Sequence, residues 1–362
     1  MCIRDSTDIV SPNRDGGAAV YAEAVTLLEE SVDLLASTNA TGPTNDFYYG
    51  GSIANWSALA NTLRIRAAVT TRLVDPSGAA ATINSIVASG NFISSAGSDF
   101  QAQFSTERNN PNSRHPDYNN HYEVGDGDYI PNYYMWLMAE GTLNADGLPA
   151  ADPRLRYYFY RQVDNSLTQD PTTYSCHFST LPDDPDGRPA HFDLVDPRLP
   201  YCVATENGYL GRDHGNGEGI PPDGPTRTNY GLYPAGGQFD DESFINRTDS
   251  RRVPGEFGGR GAGIFPIMLS SFVDFMRAEA ALTVGTGEDA RALLESGMRS
   301  SIAKVQTFES LDPSTFTDTR VVRGETFTVR QLFVPDAEDI DCLLYTSPSP
   351  RDATLSRMPS SA

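Results

Sequence analysis

Aromatic and polar side chains alternate between Arg108 and Trp136, a composition suited to holding a sugar. Flat rings pack against the apolar C–H face of a pyranose, and amide or guanidinium groups replace the water removed from its hydroxyls. We expect a ligand site here, formed by Arg108, Arg114, Tyr118, Asn119, Tyr122, Tyr133 and Trp136. Tyr133 and Trp136 are three residues apart, so a helix would project both from one side. The composition leaves open the alternative that these rings fill a core beneath an exposed loop.

A second candidate site is the glycine-rich stretch GRDHGNGEG. Arg212, Asp213 and His214 could hold a ligand there. Asp213, Asn216 and Glu218 also place oxygen atoms at close intervals, as calcium prefers, although the spacing is not that of an EF-hand. The other interpretation is a tight turn whose Asp and Asn side chains bind its own backbone. We therefore expect no metal and no cofactor, with calcium as the open alternative.

Catalytic signals are weak in this chain. A glycosidase needs two carboxylates at a set separation, and the 48 acidic residues form coincidental pairs that look like solvated turns. The five histidines show no H-x-x-x-H spacing, and neither a G-x-S-x-G motif nor a phosphate-binding loop occurs. We expect a protein that binds its substrate without transforming it. A glycan hydrolase on the same scaffold is the alternative.

The formal charge of -21 repels both phosphate backbones and anionic lipid head groups, which argues against nucleic-acid binding. No apolar run approaches the roughly 18 residues needed to span a bilayer. Both termini, MCIRDS and LLYTSPSPRDATLSRMPSSA, look like translated sequencing adapters. We exclude residues 1–6 and 342–362 for this reason, which leaves Cys176 and Cys202 as a disulfide candidate. Two unpaired thiols are the alternative.

Apolar residues recur every three or four positions in two pairs of segments, early and late in the chain. This spacing predicts amphipathic helices over residues 17–37 and about 48–75, and again over 267–284 and 289–308. A short third helix over residues 78–89 follows the early pair and ends at Gly90. Residues 91–263 lack such a period, and 14 of the 31 glycines lie between Val203 and Gly263. The tyrosines and phenylalanines interleaved with them favour an ordered segment. We predict a mainly α fold of paired helices with one long, irregular, loop-rich face.

Three stretches, in order, resemble the SusD/RagB family of nutrient-binding outer-membrane lipoproteins. FYYGGSIANWSALANTLRIRAA is similar to that family's early helix, with matches at Tyr49, Gly50, Gly51, Trp56, Ala60, Asn61, Leu63, Arg64 and Arg66. LSSFVDFMRAEAAL is similar to a helix of a later repeat, with matches at Ser271, Phe275, Ala278, Glu279 and Ala280. GRDHGNGEGIPPDGPTRTNYGLYPAGG resembles a loop between them. We expect Trp56, Arg64 and Arg66 to pack the helix pair rather than to touch ligand.

The resemblance implies tetratricopeptide-like helical repeats over residues 7–341, as a fragment of a longer protein. It implies an outward-facing position at the outer membrane, through a lipid anchor that is missing from this chain. It further implies delivery of an oligosaccharide or peptide to a SusC-type TonB-dependent transporter. A repeat scaffold that recognises a peptide or another protein is the remaining alternative.

Overall fold

The computed structural model describes residues 16–124, 127–143, 149–162, 208–209, 211–212, 227–244 and 255–346. The helices of these residues, α1 to α11, are Gly17–Leu35, Ile53–Thr71, Pro76–Ser89, Pro116–Tyr118, Asn132–Trp136, Leu155–Tyr158, Ser270–Val284, Ala290–Gln306, Pro313–Thr317, Val329–Phe333 and Ala337–Thr346. The strands, β1 to β8, are Phe100–Gln103, Thr142–Leu143, Pro149–Ala150, Phe159–Tyr160, Asn229–Tyr230, Ile264–Met268, Thr319–Val322 and Glu325–Thr328. Two π-helical turns, Asn119–Val124 and Leu137–Gly141, continue α4 and α5. The predicted mainly α fold with loop-rich segments is confirmed.

The described residues form two compact units. Unit 1 comprises the described residues of 1–99 and 273–294, and unit 2 those of 100–272 and 295–362. Unit 1 is helical, whereas unit 2 combines short helices with short two-stranded sheets and long connections. Among the described residues of both units, no helix is both long and apolar enough to cross a membrane.

The early helices of unit 1 follow the predicted apolar spacing. Helix α1 packs against α2, and α2 packs against α3. Leu59, Ile65 and Val69 of α2 are buried because residues three to four positions apart share one face of a helix. Helix α3 starts at Pro76, whose missing N–H costs nothing in the first turn, and Gly90 follows its last residue in the left-handed conformation at φ 68°.

The turn before α2 is held by a single carboxylate, Asp46. Its oxygens accept hydrogen bonds from the backbone N–H groups of Tyr48 at 2.9 Å, Tyr49 at 3.1 Å and Gly51 at 3.0 Å. They also accept one from the indole N–H of Trp56 at 2.8 Å. Desolvation acts to raise the pKa of Asp46, but these hydrogen bonds lower it to about 2.

Two residues of the early motif, Trp56 and Arg64, make structural contacts within unit 1, as predicted from the sequence. Trp56 joins α2 to the turn at Asp46, and Arg64 pairs with Glu29 of α1 at 2.7 Å. The third, Arg66, is exposed. The predicted role of Arg64 in tying the helix pair together is thus confirmed, and Trp56 anchors the turn before α2.

Unit 2 is organised around aromatic side chains. Tyr157, Tyr233, Phe239, Phe308 and Phe316 are buried in one cluster, where the Tyr157 and Phe239 rings meet edge to face at 4.8 Å. Several of these aromatics come from the glycine-rich stretch, as expected for an ordered segment. Glycine lets its backbone strands approach closely: a Cβ on Gly258, where φ is +51°, would lie 1.8 Å from the Gly237 carbonyl oxygen.

A buried ion pair ties the loops of unit 2 together. The Arg161 Nε donates to Asp240 Oδ2 at 2.6 Å, and the Asp240 side chain is fully buried. Arg161 also reaches Glu242 at 3.3 Å and lies over the Tyr209 ring. Removing one member of such a pair leaves an uncompensated buried charge, so the network strongly disfavours rearrangement of these loops.

The predicted start of the late helix is wrong. Pro266 lies in strand β6, opposite Gln101 of the antiparallel partner β1, and α7 begins only at Ser270. A proline has no N–H to donate, and it is compatible both with the first turn of a helix and with a strand. Pairing with β1, about 160 residues away in sequence, decided in favour of the strand. The later helix agrees better, because Asp289 accepts hydrogen bonds from the first backbone N–H groups of α8.

The chain after α8 forms structure that the apolar spacing did not predict. Strands β7 and β8 make a hairpin whose turn residues, Arg323 and Gly324, both have positive φ. Helix α11 extends to Thr346, so residues 342–346, which we excluded as part of the adapter-like tail, continue a helix.

Candidate ligand-binding site

The rings of Tyr118 and Tyr122 lie in the interior of unit 2. They are one helical turn apart on α4 and the π-helical turn after it, they stack at 5.0 Å, and they pack with Phe257. The Tyr118 hydroxyl donates to the Phe257 carbonyl at 3.2 Å. The Tyr122 hydroxyl donates to the Tyr230 carbonyl at 2.5 Å and accepts from the Gln238 N–H at 3.2 Å. These contacts correct the expectation that both rings face a ligand, because neither has an exposed surface.

Arg114 and Asn119 bind each other rather than pointing outward. The buried Arg114 guanidinium pairs with Glu123 at 3.0 Å and donates to the Asn119 side-chain oxygen at 3.1 Å. It also lies over the Tyr118 ring. This arrangement satisfies a buried charge and braces the loop, which corrects the role predicted for Arg114.

Arg108 shares the same carboxylate but is accessible. It pairs with Glu123 at 2.8 Å, and its side chain is 55% exposed. Of the two arginines bound to Glu123, it is the one that a ligand could reach.

Of the aromatic rings predicted for the site, that of Tyr133 is the most exposed. Tyr133 and Trp136 both lie on α5, where their rings stack at 6.1 Å with 22° between their planes. Trp136 is 2% exposed and belongs to the core, whereas Tyr133 is 38% exposed. From the sequence we expected both rings to face a ligand. In the structure only the Tyr133 ring is exposed to solvent, and the buried Trp136 ring stacks against it.

Arg212 is brought to the same place by backbone pairing. Its N–H donates to the Ile130 carbonyl and its carbonyl accepts from the Asn132 N–H, each at 3.1 Å. Its guanidinium carbon lies 3.9 Å from the centre of the Tyr129 ring. Burial lowers the pKa of Arg212 and also strengthens such a cation–π contact. These hydrogen bonds form a β-bridge between Pro131 and Arg212, and Tyr129 and Tyr133 lie two residues on either side of Pro131.

Two acidic side chains, Asp117 and Asp128, lie near Tyr230, and no pattern in the sequence assigned them a role. Asp128 is exposed and directly precedes Tyr129, and Asp117 is half-buried. Burial, followed by the charge of Asp128, raises the pKa of Asp117. Burial and the two carboxylates together raise the pKa of Tyr230 to about 12. Only the tertiary structure reveals this grouping, because Tyr230 is about 100 residues away in sequence.

Two histidines of this region are buried and neutral. Burial lowers the pKa of His115 to about 4 and that of His121 to about 4. The His121 Nδ1 lies 3.1 Å from the Asn229 side-chain oxygen. Because that oxygen can only accept, Nδ1 carries the proton and donates. Neither histidine faces a ligand.

The remaining predicted site residues, Asp213 and His214, lie outside the described residues. So do Asn216 and Glu218 of the calcium alternative and the cysteine pair Cys176 and Cys202. Within the described ranges, no group of three or more His, Cys, Asp or Glu side chains could hold a metal ion.

Comparison with known proteins places the chain in a family. Residues 2–184 match a SusD-like family model described as starch-binding and associating with the outer membrane. That match covers half of the chain. The chain belongs to this SusD-like family. No curated protein matches it.

Solved structures share the fold of this SusD-like chain. A SusD homologue from Bacteroides fragilis matches 98% of it at 15% identity and a TM-score of 0.55. A SusD homologue from Bacteroides uniformis matches 95% at 16% identity and a TM-score of 0.52. A protein described as chitin-binding matches 93% at 16% identity and a TM-score of 0.52. The chain spans 61%, 58% and 54% of these three proteins, respectively.

Proposed function

We propose that this SusD-like chain captures an oligosaccharide on the surface formed by Tyr133, Tyr129 and Asp128, and passes it on without cleaving it. The observation that carries the proposal is the 38% exposed Tyr133 ring, stacked on the buried Trp136. A ring clamped from behind loses little conformational entropy when a sugar stacks on it, which favours binding.

The chemistry of this surface supports a neutral glycan as ligand. The Tyr133 face suits the C–H side of a pyranose, and the exposed Asp128 carboxylate can accept hydrogen bonds from hydroxyls. Arg212 acts as a positioning residue for Tyr129, and Arg108 is the accessible guanidinium of the nearby loop. The family description as starch-binding and the chitin-binding neighbour point to the same ligand class.

Delivery to a SusC-type TonB-dependent transporter forms the second part of the proposal. Association with the outer membrane is part of the family description, and we infer that the protein works on the outward side, held there by a lipid anchor. Co-purification with a co-expressed transporter tests this part. Failure to co-purify would contradict the delivery step and leave glycan capture standing.

Calorimetry with neutral oligosaccharides, including maltoheptaose and chitohexaose, tests glycan capture. We expect Tyr133→Ala to weaken binding at least about tenfold, because it removes the exposed face and leaves the core intact. Tyr21→Ala, on α1 of unit 1 and similarly exposed, is the matched control and should bind as the wild type does. Trp136→Ala is a poorer test, since loss of a buried tryptophan damages the fold.

Three results would count against the proposal. Wild-type chain that binds no glycan in the panel contradicts the function. Unchanged affinity in Tyr133→Ala contradicts the site. Shortened oligosaccharides in the mixture after incubation, detected by mass spectrometry, would favour the hydrolase alternative instead.

A further inference from the structure

His121 packs against the segment that carries two residues of the proposed glycan surface, Asp128 and Tyr129. It lies on the π-helical turn after α4, and it is buried. A Cβ added at Gly127 would lie 2.5 Å from the His121 Cδ2 and 2.6 Å from its Nε2. Non-bonded carbon atoms pack at about 3.5–4.0 Å, so no side chain fits at residue 127 while the ring stays in place. The ring therefore limits where the backbone of residues 127–129 can lie.

The His121 ring, and not the backbone conformation, is what requires glycine at residue 127. Gly127 does not have the positive φ that favours glycine in a turn. Gly255 and Gly261 of the same unit do, with φ of +89° and +82°. Gly127 is buried, and its lack of a side chain serves to bring the chain into contact with the imidazole.

Strand β5 fixes the orientation of the His121 ring. The Nδ1 donates to the Asn229 side-chain oxygen at 3.1 Å, and the Tyr230 ring packs edge to face with the imidazole at 5.0 Å. Both partners belong to β5, which pairs with the buried strand β4. A hydrogen bond at Nδ1 sets the rotation of the ring about its side chain, so the edge that meets Gly127 is set as well.

The Asn229 side chain is itself held by a buried glutamine. The Gln162 Nε2 donates to the Asn229 side-chain oxygen at 3.3 Å and to the Arg227 carbonyl at 2.7 Å. The Arg227 guanidinium carbon in turn lies 5.7 Å from the centre of the Tyr129 ring. Hydrogen bonds from Gln162 through Asn229 to His121 thus connect β4 and β5 with the segment that bears Tyr129, and such a network is stiffer than its separate bonds.

We propose that His121 is a positioning residue of the glycan surface. It touches no ligand, and through Gly127 it sets the place of Asp128 and Tyr129. A ligand site needs its groups held within about 0.5 Å by residues whose own orientation is fixed, and the contacts of His121 meet that need. This inference rests on the proposed function, because it concerns the same surface.

A double-mutant cycle on glycan affinity tests the inference. It uses the full chain and calorimetry with whichever of maltoheptaose and chitohexaose the wild type binds more tightly. Gly127→Ala should weaken binding at least about fivefold, because its methyl group displaces the segment from the ring. In a His121→Ala background, which leaves room for that methyl group, Gly127→Ala should change the affinity less than about twofold.

Two further variants separate positioning from a general loss of stability. His121→Gln keeps an amide donor and nearly the length of the ring, so it should recover most of the affinity that His121→Ala loses. Gly259→Ala is the matched control, since Gly259 is also buried in unit 2 without a positive φ, and its Cβ would lie 3.1 Å from the Leu311 side chain. It should bind as the wild type does. Circular dichroism establishes that each variant is folded.

Full affinity in Gly127→Ala would overturn the inference, and so would a loss from Gly127→Ala that is equally large in the His121→Ala background. An equal loss in Gly259→Ala would overturn it too, because close packing anywhere in unit 2 would then affect binding. If Tyr133→Ala loses affinity in the same experiments, the proposed function stands without this inference. A wild type that binds neither sugar contradicts both.

Discussion

His121 illustrates how burial controls protonation at the scale of a single residue. Its ring is buried, packs edge to face with Tyr230 at 5.0 Å and donates to Asn229. Burial lowers its pKa from 6.5 to about 4 in the folded chain. Between these two values the unfolded chain binds a proton that the folded chain does not.

The free energy of unfolding should therefore fall as pH drops from 6.5 toward 4, while this contribution is complete above pH 6.5. At pH 5 the loss from His121 is on the order of 2 kcal/mol. Urea denaturation at pH 7 and pH 5 should show a smaller drop for His121→Gln than for the wild type. His115 and the carboxylates titrate in both proteins, so the difference isolates His121. Equal drops would show that the ring is already charged, or solvated, in the folded state.

Helix α3 shows how local backbone chemistry sets the ends of an element. The Asp75 side chain accepts from the Gly78 N–H at 3.0 Å at the start of the helix, and the Gly90 N–H donates to Val87 at its end. Gly90 has φ 68°, a conformation that residues with a Cβ adopt at a cost. A Cβ at Gly90 would meet no other atom within 4 Å, so that cost is conformational and not steric.

We expect Gly90→Ala to lower the free energy of unfolding by about 1 kcal/mol, from the left-handed conformation alone. Gly97→Ala is the control in the same unit, because its φ is not positive and its nearest neighbour would be the Ser95 hydroxyl at 3.9 Å. Chemical denaturation of the two variants provides the measurement. A loss in Gly97→Ala as large as that in Gly90→Ala would argue against a conformational origin.

Net charge dominates the electrostatics of the whole molecule. The chain carries 48 acidic and 27 basic side chains, so self-repulsion opposes folding at neutral pH. Several ion pairs, including Arg161 with Asp240, are buried and are only weakly screened by salt. Added salt should consequently relieve the repulsion more than it weakens the pairs.

Raising NaCl from about 10 mM to about 150 mM, which shortens the screening length from about 30 Å to about 8 Å, should raise the thermal midpoint. Affinity for a neutral glycan should stay within about twofold, because stacking on Tyr133 involves no net charge. Differential scanning calorimetry and binding calorimetry at both salt concentrations provide the two readouts. A midpoint that falls with salt would indicate that exposed ion pairs outweigh the self-repulsion.

The residues of the candidate site were predictable in type and only partly in role. The aromatic and polar composition of residues 108–136 predicted a ligand site there, and the Tyr133 ring in this segment is exposed. Burial of Tyr118, Tyr122 and Trp136 could not be foreseen, because the same residue types serve a core and a sugar platform. The sequence did not predict that Tyr129, Tyr230 and Asp128 belong to this region of the site, because no local spacing links them.

The sequence by itself determined the helices of unit 1, the caps of α3 and α8, and the resemblance to the SusD-like family. All of these depend on contacts or patterns within a few residues, so the spacing of side chains is sufficient to specify them. Only the tertiary structure decided that Pro266 is in a strand and which rings of the loop-rich face are buried. Those outcomes depend on contacts with residues that are distant in the chain. The local spacing of side chains contains no information about such contacts.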